Sequence, residues 1–99
     1  MIKHIVMWNM AGNTMEDRCK AAEFVRSRFE KLRGEVPGLL HLEVGLDHSR
    51  VDYACDVVLY SEFESQEALD AYAKHPAHLR VKDELGQTRI TRFQVDYAL

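Results

Sequence analysis

Several fingerprints are missing from this 99-residue chain. It has no glycine-rich phosphate loop, no GxSxG, no HExxH and no cysteines at zinc spacing. Nucleotide, acyl-serine and structural-zinc chemistries of the familiar kinds therefore have no anchor, and no cofactor is expected. The two cysteines, Cys19 and Cys55, are far apart and form no CxxC. With no basic leader or cleavage site in "MIKHIVMWNM", they fit a reducing cytoplasm better than a disulfide scaffold. No apolar run approaches the roughly 20 residues needed to span a bilayer, so no membrane partner is expected. Basic charge is not in excess either: 13 Lys and Arg stand against 16 Asp and Glu, which argues against nucleic acid. There is no linker, repeat or low-complexity tract, and the length suits one domain over residues 1–99.

What is present alternates between strand and helix patterns. Residues 2 to 9, "IKHIVMWN", predict a strand with His4, Val6 and Trp8 on one face and Ile5 and Met7 on the other. "AGNT" breaks it. Asn13 with Glu16, or Thr14 with Asp17, then caps a helix running to about Arg33. Ala21 or Ala22, Val25, Phe29 and Leu32 form its apolar stripe, and Gly34 and Pro37 end it. "PGLLHLEVGL" predicts a second strand, with Leu40, Leu42, Val44 and Leu46 on one face and Leu39, His41 and Glu43 on the other. "YACDVVLYSEF" predicts a third, joined to the second as an antiparallel hairpin. Ser65 is the expected N-cap of a second helix, with Leu69, Tyr72 and Ala73 inward. That helix must stop near His75, because a residue before proline is driven out of the helical region. Pro76 then suits the first position of a short helix to about Leu85, ended by Gly86. "TRITRFQVDYAL" predicts the last strand, with Thr91, Phe93, Val95 and Tyr97 together.

The order strand, helix, strand, strand, helix, strand is the α+β, ferredoxin-like arrangement, a four-stranded antiparallel sheet with helices on one face. Helices can cover only one face. Yet Ile5, Met7, Val57 and Leu59 stand on the opposite parity from His4, Val6, Trp8, Val58 and Tyr60, so both faces carry large apolar groups. An exposed apolar sheet face of several hundred Å² marks an association surface, and a second copy is the simplest cover. A homodimer is expected.

Candidate chemistry gathers in "AYAKHPAHLR". On one continuous helix Tyr72 and His78 would point about 120° apart; a break at Pro76 lets His78 swing back toward Tyr72. A histidine accepts a proton at neutral pH, and a neutral tyrosine donates a hydrogen bond to a developing oxyanion, so the pair suits proton abstraction beside a carbonyl. The plainer alternative is that His75 ends a helix by bonding a loose carbonyl while Tyr72 is a core residue. His4, on an apolar strand face, must find a partner or stay neutral, and it is placed to meet Tyr72 or His78. His75 and His78 with Asp83 or Glu84 could hold a metal only on an unbroken helix, so no metal is expected. His41 and His48 read as surface residues.

These stretches together, "KHIVMW", "VPGLLHLEVGLDHS", "DVVLYSEFESQEALDAY" and above all "HPAH", resemble the stress-responsive A/B barrel (Dabb) family over nearly the whole chain. The resemblance implies a homodimeric α+β barrel with a small-molecule pocket between sheet and helices, walled here by Val6, Trp8, Phe24 and His75. Functions in the family range from plant stress-associated proteins to a plant polyketide cyclase that performs an aldol closure. By similarity to that cyclase, the catalytic tyrosine falls on Tyr72, the catalytic histidine on His78 and a further pocket histidine on His4. Two functions follow. One is a small-molecule-binding protein, its enzymatic form a cofactor-independent cyclase, lyase or isomerase acting on a carbonyl compound. The other is a non-catalytic stress or interaction domain. A cofactor-free monooxygenase stands behind these on fold analogy alone.

Overall fold

A computed structural model describes residues 1–99. The elements are β1 (Ile2–Met10), α1 (Met15–Glu30), β2 (Leu39–Leu46), β3 (Val57–Phe63), α2 (Gln66–Lys74), α3 (Pro76–Leu85) and β4 (Arg89–Ala98). The strands form one antiparallel sheet in the order β2-β3-β1-β4. The architecture is ferredoxin-like, with the second helical segment split in two at Pro76.

Alternation along β1 sets the layers. His4, Val6, Trp8 and Met10 are buried toward the helices. Ala22, Val25, Phe29 and Leu32 of α1 and the turn after it meet them, and the Trp8 and Phe29 rings stack at 5.4 Å. Leu69 and Tyr72 from α2 and Ala77, Val81 and Leu85 from α3 complete the core. Of the two frames for the first cap, Thr14 is used: its hydroxyl accepts from Asp17 N–H at 3.0 Å. The regular helix ends at Glu30 rather than Arg33, because turns take over from Lys31 and lead into Gly34 at φ +79. Ser65 caps α2 by accepting from Ala68 N–H, and Gly86 ends α3.

Three expectations about which side chains face inward are corrected. Antiparallel pairing sets Trp8 opposite Val57 and Val6 opposite Leu59, so Val57 and Leu59 are core residues and Val58 and Tyr60 lie on the outer face. Parity in residue number does not carry across a hairpin. In β2 the register shifts between Leu39 and His41; this bulge turns Leu40 out to 57% exposure, while Leu39 packs against the core. Ala73 is exposed, since α2 buries Leu69 and Tyr72 and packs Ala68 beside them. Close approach at this end depends on Gly38 (φ +81), where a Cβ would meet the Ala68 Cβ at 2.6 Å.

The helices stop short of β4. They pack on β1, β2 and β3, and every residue of β4 after Arg89 is exposed. Phe93, Val95 and Tyr97 lie on the outer face beside Met7, Ile5 and Lys3, while Arg92, Gln94 and Asp96 point to the helix side, opposite Trp8, Val6 and His4.

Candidate active site

The break at Pro76 builds the site. Proline has no N–H to continue the helix ladder, so the Tyr72 carbonyl takes the His75 N–H instead, at 3.1 Å. His75 turns extended (φ -66, ψ 136), and its Nδ1 accepts the Ala77 N–H at 3.0 Å. The Ala73 carbonyl, left without a helical donor, receives Nδ1–H of His78 at 3.3 Å. A carbonyl can only accept, so this contact fixes the tautomer and leaves the lone pair of His78 on Nε2. The His78 ring lies 4.3 Å from the ring of Tyr72.

Across from them, β1 and β4 present His4. Its Nδ1–H donates to Asp96 Oδ1 at 2.5 Å, and its ring stands edge-on to Tyr72 at 6.2 Å and to Phe63 at 6.2 Å. Asp96 is held in turn. Gln94 Nε2 donates to Asp96 Oδ2 at 2.9 Å, and Arg92 Nη2 donates to Gln94 Oε1 at 2.5 Å. A hydrogen-bonded row therefore runs down the inner face of β4 from Arg92 to His4.

His4, Tyr72 and His78 border a single cleft of about 200 Å³, which Leu69, Asp70, Ala73 and the β4 row also line. Tyr72 is 3% exposed and His4 6%. Burial pushes the Tyr72 phenol far above its usual range, so it stays a protonated donor. Burial also lowers the pKa of His78 below the ordinary 6.5, and the nearby positive charges of Lys82 and Arg92 act the same way, against the Ala73 hydrogen bond. His78 is therefore a neutral base at pH 7.

The expected pocket walls are not where the sequence analysis put them. Val6 and Trp8 are core residues beneath the helices, Phe24 sits on α1 under the Arg28 guanidinium, and His75 is a helix cap; none lines the cleft. His75 also accepts an N–H rather than binding a loose carbonyl. Trp8 leaves the cleft open, because it fills space four residues along β1 from His4. The sequence reading missed the partners on β4. Their signal was the polar alternation of Arg92, Gln94 and Asp96 with Phe93, Val95 and Tyr97.

No three His, Cys, Asp or Glu side chains converge closely enough to hold a metal ion. No helix is long and apolar enough to cross a membrane. The largest hollow, about 660 Å³, is not lined by His4, Tyr72 or His78; it lies on the outer face between Met7, Leu46, Tyr53, Val58 and Phe93. Its apolar lining belongs to the uncovered sheet face rather than to the cleft of His4, Tyr72 and His78.

Strand order and connections place the chain among ferredoxin-like α+β proteins carrying a sheet-edge cleft. The model of the Stress responsive A/B Barrel Domain family, Dabb, matches residues 2–99, and the chain belongs to that family. Among solved structures, it is similar to a dimeric, ferredoxin-like protein of unknown function from Bacteroides fragilis, at 27% identity and TM-score 0.86 over 99% of this chain and 95% of that one. A Dabb family protein from Mesorhizobium loti shares the fold at 20% identity and TM-score 0.76, covering 99% and 95%. So does a hydroxynitrile lyase from Passiflora edulis, at 17% identity and TM-score 0.76, covering 97% and 90%. No curated protein matches the chain.

Proposed function

We propose that the protein is a homodimer that binds a small carbonyl compound in the cleft of His4, Tyr72 and His78 and performs cofactor-independent acid/base chemistry on it. One observation carries the proposal: both histidines have Nδ1–H committed, to Asp96 and to the Ala73 carbonyl, so each meets a ligand through Nε2 beside a protonated phenol. In this mechanism His78 Nε2 takes a proton from the carbon next to the carbonyl. The C–H bond breaks, its electron pair forms a C=C bond, and the carbonyl oxygen becomes an enolate. The Tyr72 hydroxyl donates to that oxygen, and His4 orients the substrate. The enolate carbon can then attack a second carbonyl, as in an aldol closure, or regain a proton elsewhere. A positioned base supplies about 10²–10⁴-fold in rate, and the cleft supplies orientation.

The outer face supports the dimer. Phe93, Val95 and Tyr97 are exposed there at 53%, 56% and 42%, and similar structures are dimeric. The two free thiols, Cys19 and Cys55, fit a cytoplasmic location. The test is a screen of β-ketoacyl and related carbonyl compounds against wild type, His78→Ala and Tyr72→Phe. The proposal predicts turnover that falls by about 10²–10⁴-fold in His78→Ala. Equal turnover in both would remove His78 from the mechanism. Binding without turnover would favour the non-catalytic alternative.

A further inference from the structure

The cleft does not end at Arg92. The same side chain also borders a second recess of about 290 Å³, walled by Trp8, Lys82, Arg89 and Arg92. Three cations converge there without a carboxylate in the lining, in a chain whose net charge is -3. None of the three takes part in an ion pair, whereas Arg26, Arg28, Arg33 and Arg50 all do. Arg92 spends one N–H on Gln94 and keeps the rest of its five donors. The Arg89 guanidinium stands 5.8 Å from the centre of the Trp8 ring, and burial together with the charge of Arg92 disfavours its own charge. The Trp8 indole N–H is buried with no acceptor, an arrangement that normally costs free energy. The carboxylates of the adjoining cleft are already engaged: Asp96 holds His4 and Gln94, and Asp70 accepts from Gln66.

We infer that this recess is an anion subsite joined to the cleft through Arg92, so that the substrate is an elongated molecule with a carboxylate or phosphate at one end and its reacting carbonyl at the other. The inference rests on the cleft being the reaction site and adds the charge and length of its substrate. Arg92 and Asp96 are four residues apart on β4, roughly 13 Å along the strand, which sets the span from anion to His4. A planar guanidinium matches the two oxygens of a carboxylate or phosphate, and the recess offers two of them with one ammonium. The row from Arg92 through Gln94 and Asp96 to His4 ties the bound anion to the orientation of the His4 ring.

Trp8 is the only tryptophan, so its emission reports on the recess. Hexanoate, inorganic phosphate and neutral hexanol are titrated at constant ionic strength. A saturable change with an anion and none with hexanol is expected, and the tighter of the two anions identifies the headgroup. Lys82→Gln and Arg89→Gln should each weaken binding at least about tenfold, the scale of one lost charge-assisted hydrogen bond. Arg89→Lys, which keeps the charge and loses the planar fork, should weaken binding less than Arg89→Gln, and His78→Ala should keep it. Lys82 is exposed on α3, so its variant remains informative if Arg89→Gln folds poorly. Absence of a saturable signal with either anion, or unchanged affinity in both Gln variants, would overturn the subsite. Turnover indifferent to whether the substrate is an acid or its methyl ester would also overturn it, leaving His78 chemistry intact. Anion binding without turnover of any carbonyl compound would leave the subsite standing and count against the chemistry.

Discussion

The inner face of the sheet divides into two regions. Over β2, β3 and β1 it is apolar and roofed by three helices, with Phe29, Leu59, Phe63 and Val6 at 2% exposure or less. Over β4 it is open and polar, a row of Arg92, Gln94 and Asp96. The outer face carries apolar Ile5, Met7, Val58, Phe93 and Val95 in its middle, with Lys3, His41 and Glu62 toward one end. The difference is one of cover: polar side chains of β4 gather where helices do not reach, and its apolar side chains turn to the face that a partner would cover. His4 sits on the boundary, its body under Tyr72 and Phe63 and its Nδ1 held by an open-region carboxylate.

Changing one region at a time breaks the comparison into parts. The largest effect on stability belongs to the roofed region. Phe29→Ala should cost about 3–5 kcal/mol, read as a lower midpoint in chemical denaturation. In the open region Gln94→Ala and Arg92→Gln should leave stability within about 0.5 kcal/mol but loosen the hold on His4, so that turnover falls while the denaturation midpoint stays. On the outer face, Val95→Glu should bury a charge only if a second copy covers it. Sedimentation should then show a shift from dimer to monomer with the monomer still folded, whereas a stable wild-type monomer at micromolar concentration would contradict the covered face.

Acid should separate the regions as well. Burial lowers the pKa of His78 below 6.5, so its base form predominates at neutral pH, and turnover should fall on acidification with a midpoint below 6.5. The linkage has the same sign. The unfolded chain binds the His78 proton at higher pH than the folded one, so this group's contribution to stability is present above 6.5 and is lost as pH falls toward the folded pKa. The smallest effect is expected at the bulge in β2. Leu40→Ser should change stability by less than about 0.5 kcal/mol, because Leu40 already faces solvent; Leu39→Ser should cost more.

Much of this was legible because it depends on local rules. Thr14 and Ser65 cap helices as their positions suggest, and Pro76 ends α2 while starting α3. Tyr72 and His78 could be paired from the sequence because one covalent fact, the missing proline N–H, displaces both. The misses are non-local. The bulge at Leu40 depends on how β2 registers with β3, and the core identity of Val57 and Leu59 depends on which residues of β1 they oppose. Asp96 lies 92 positions from His4 in the chain, a partnership that spacing does not encode. Trp8, Val6 and Phe24 were expected in the pocket because it was placed between sheet and helices; the cleft lies at the open edge over β4, and those side chains lie in the core and on α1.

The most direct test is to observe the two imidazoles. Long-range proton–nitrogen NMR of ¹⁵N-histidine protein distinguishes the tautomers and follows each ring through its titration. The Ala73 contact predicts that neutral His78 carries its proton on Nδ1, its burial predicts that it titrates below 6.5, and the Asp96 contact predicts Nδ1–H on His4. A His78 found with its proton on Nε2, or titrating above 6.5, would contradict its role as the base of this cleft.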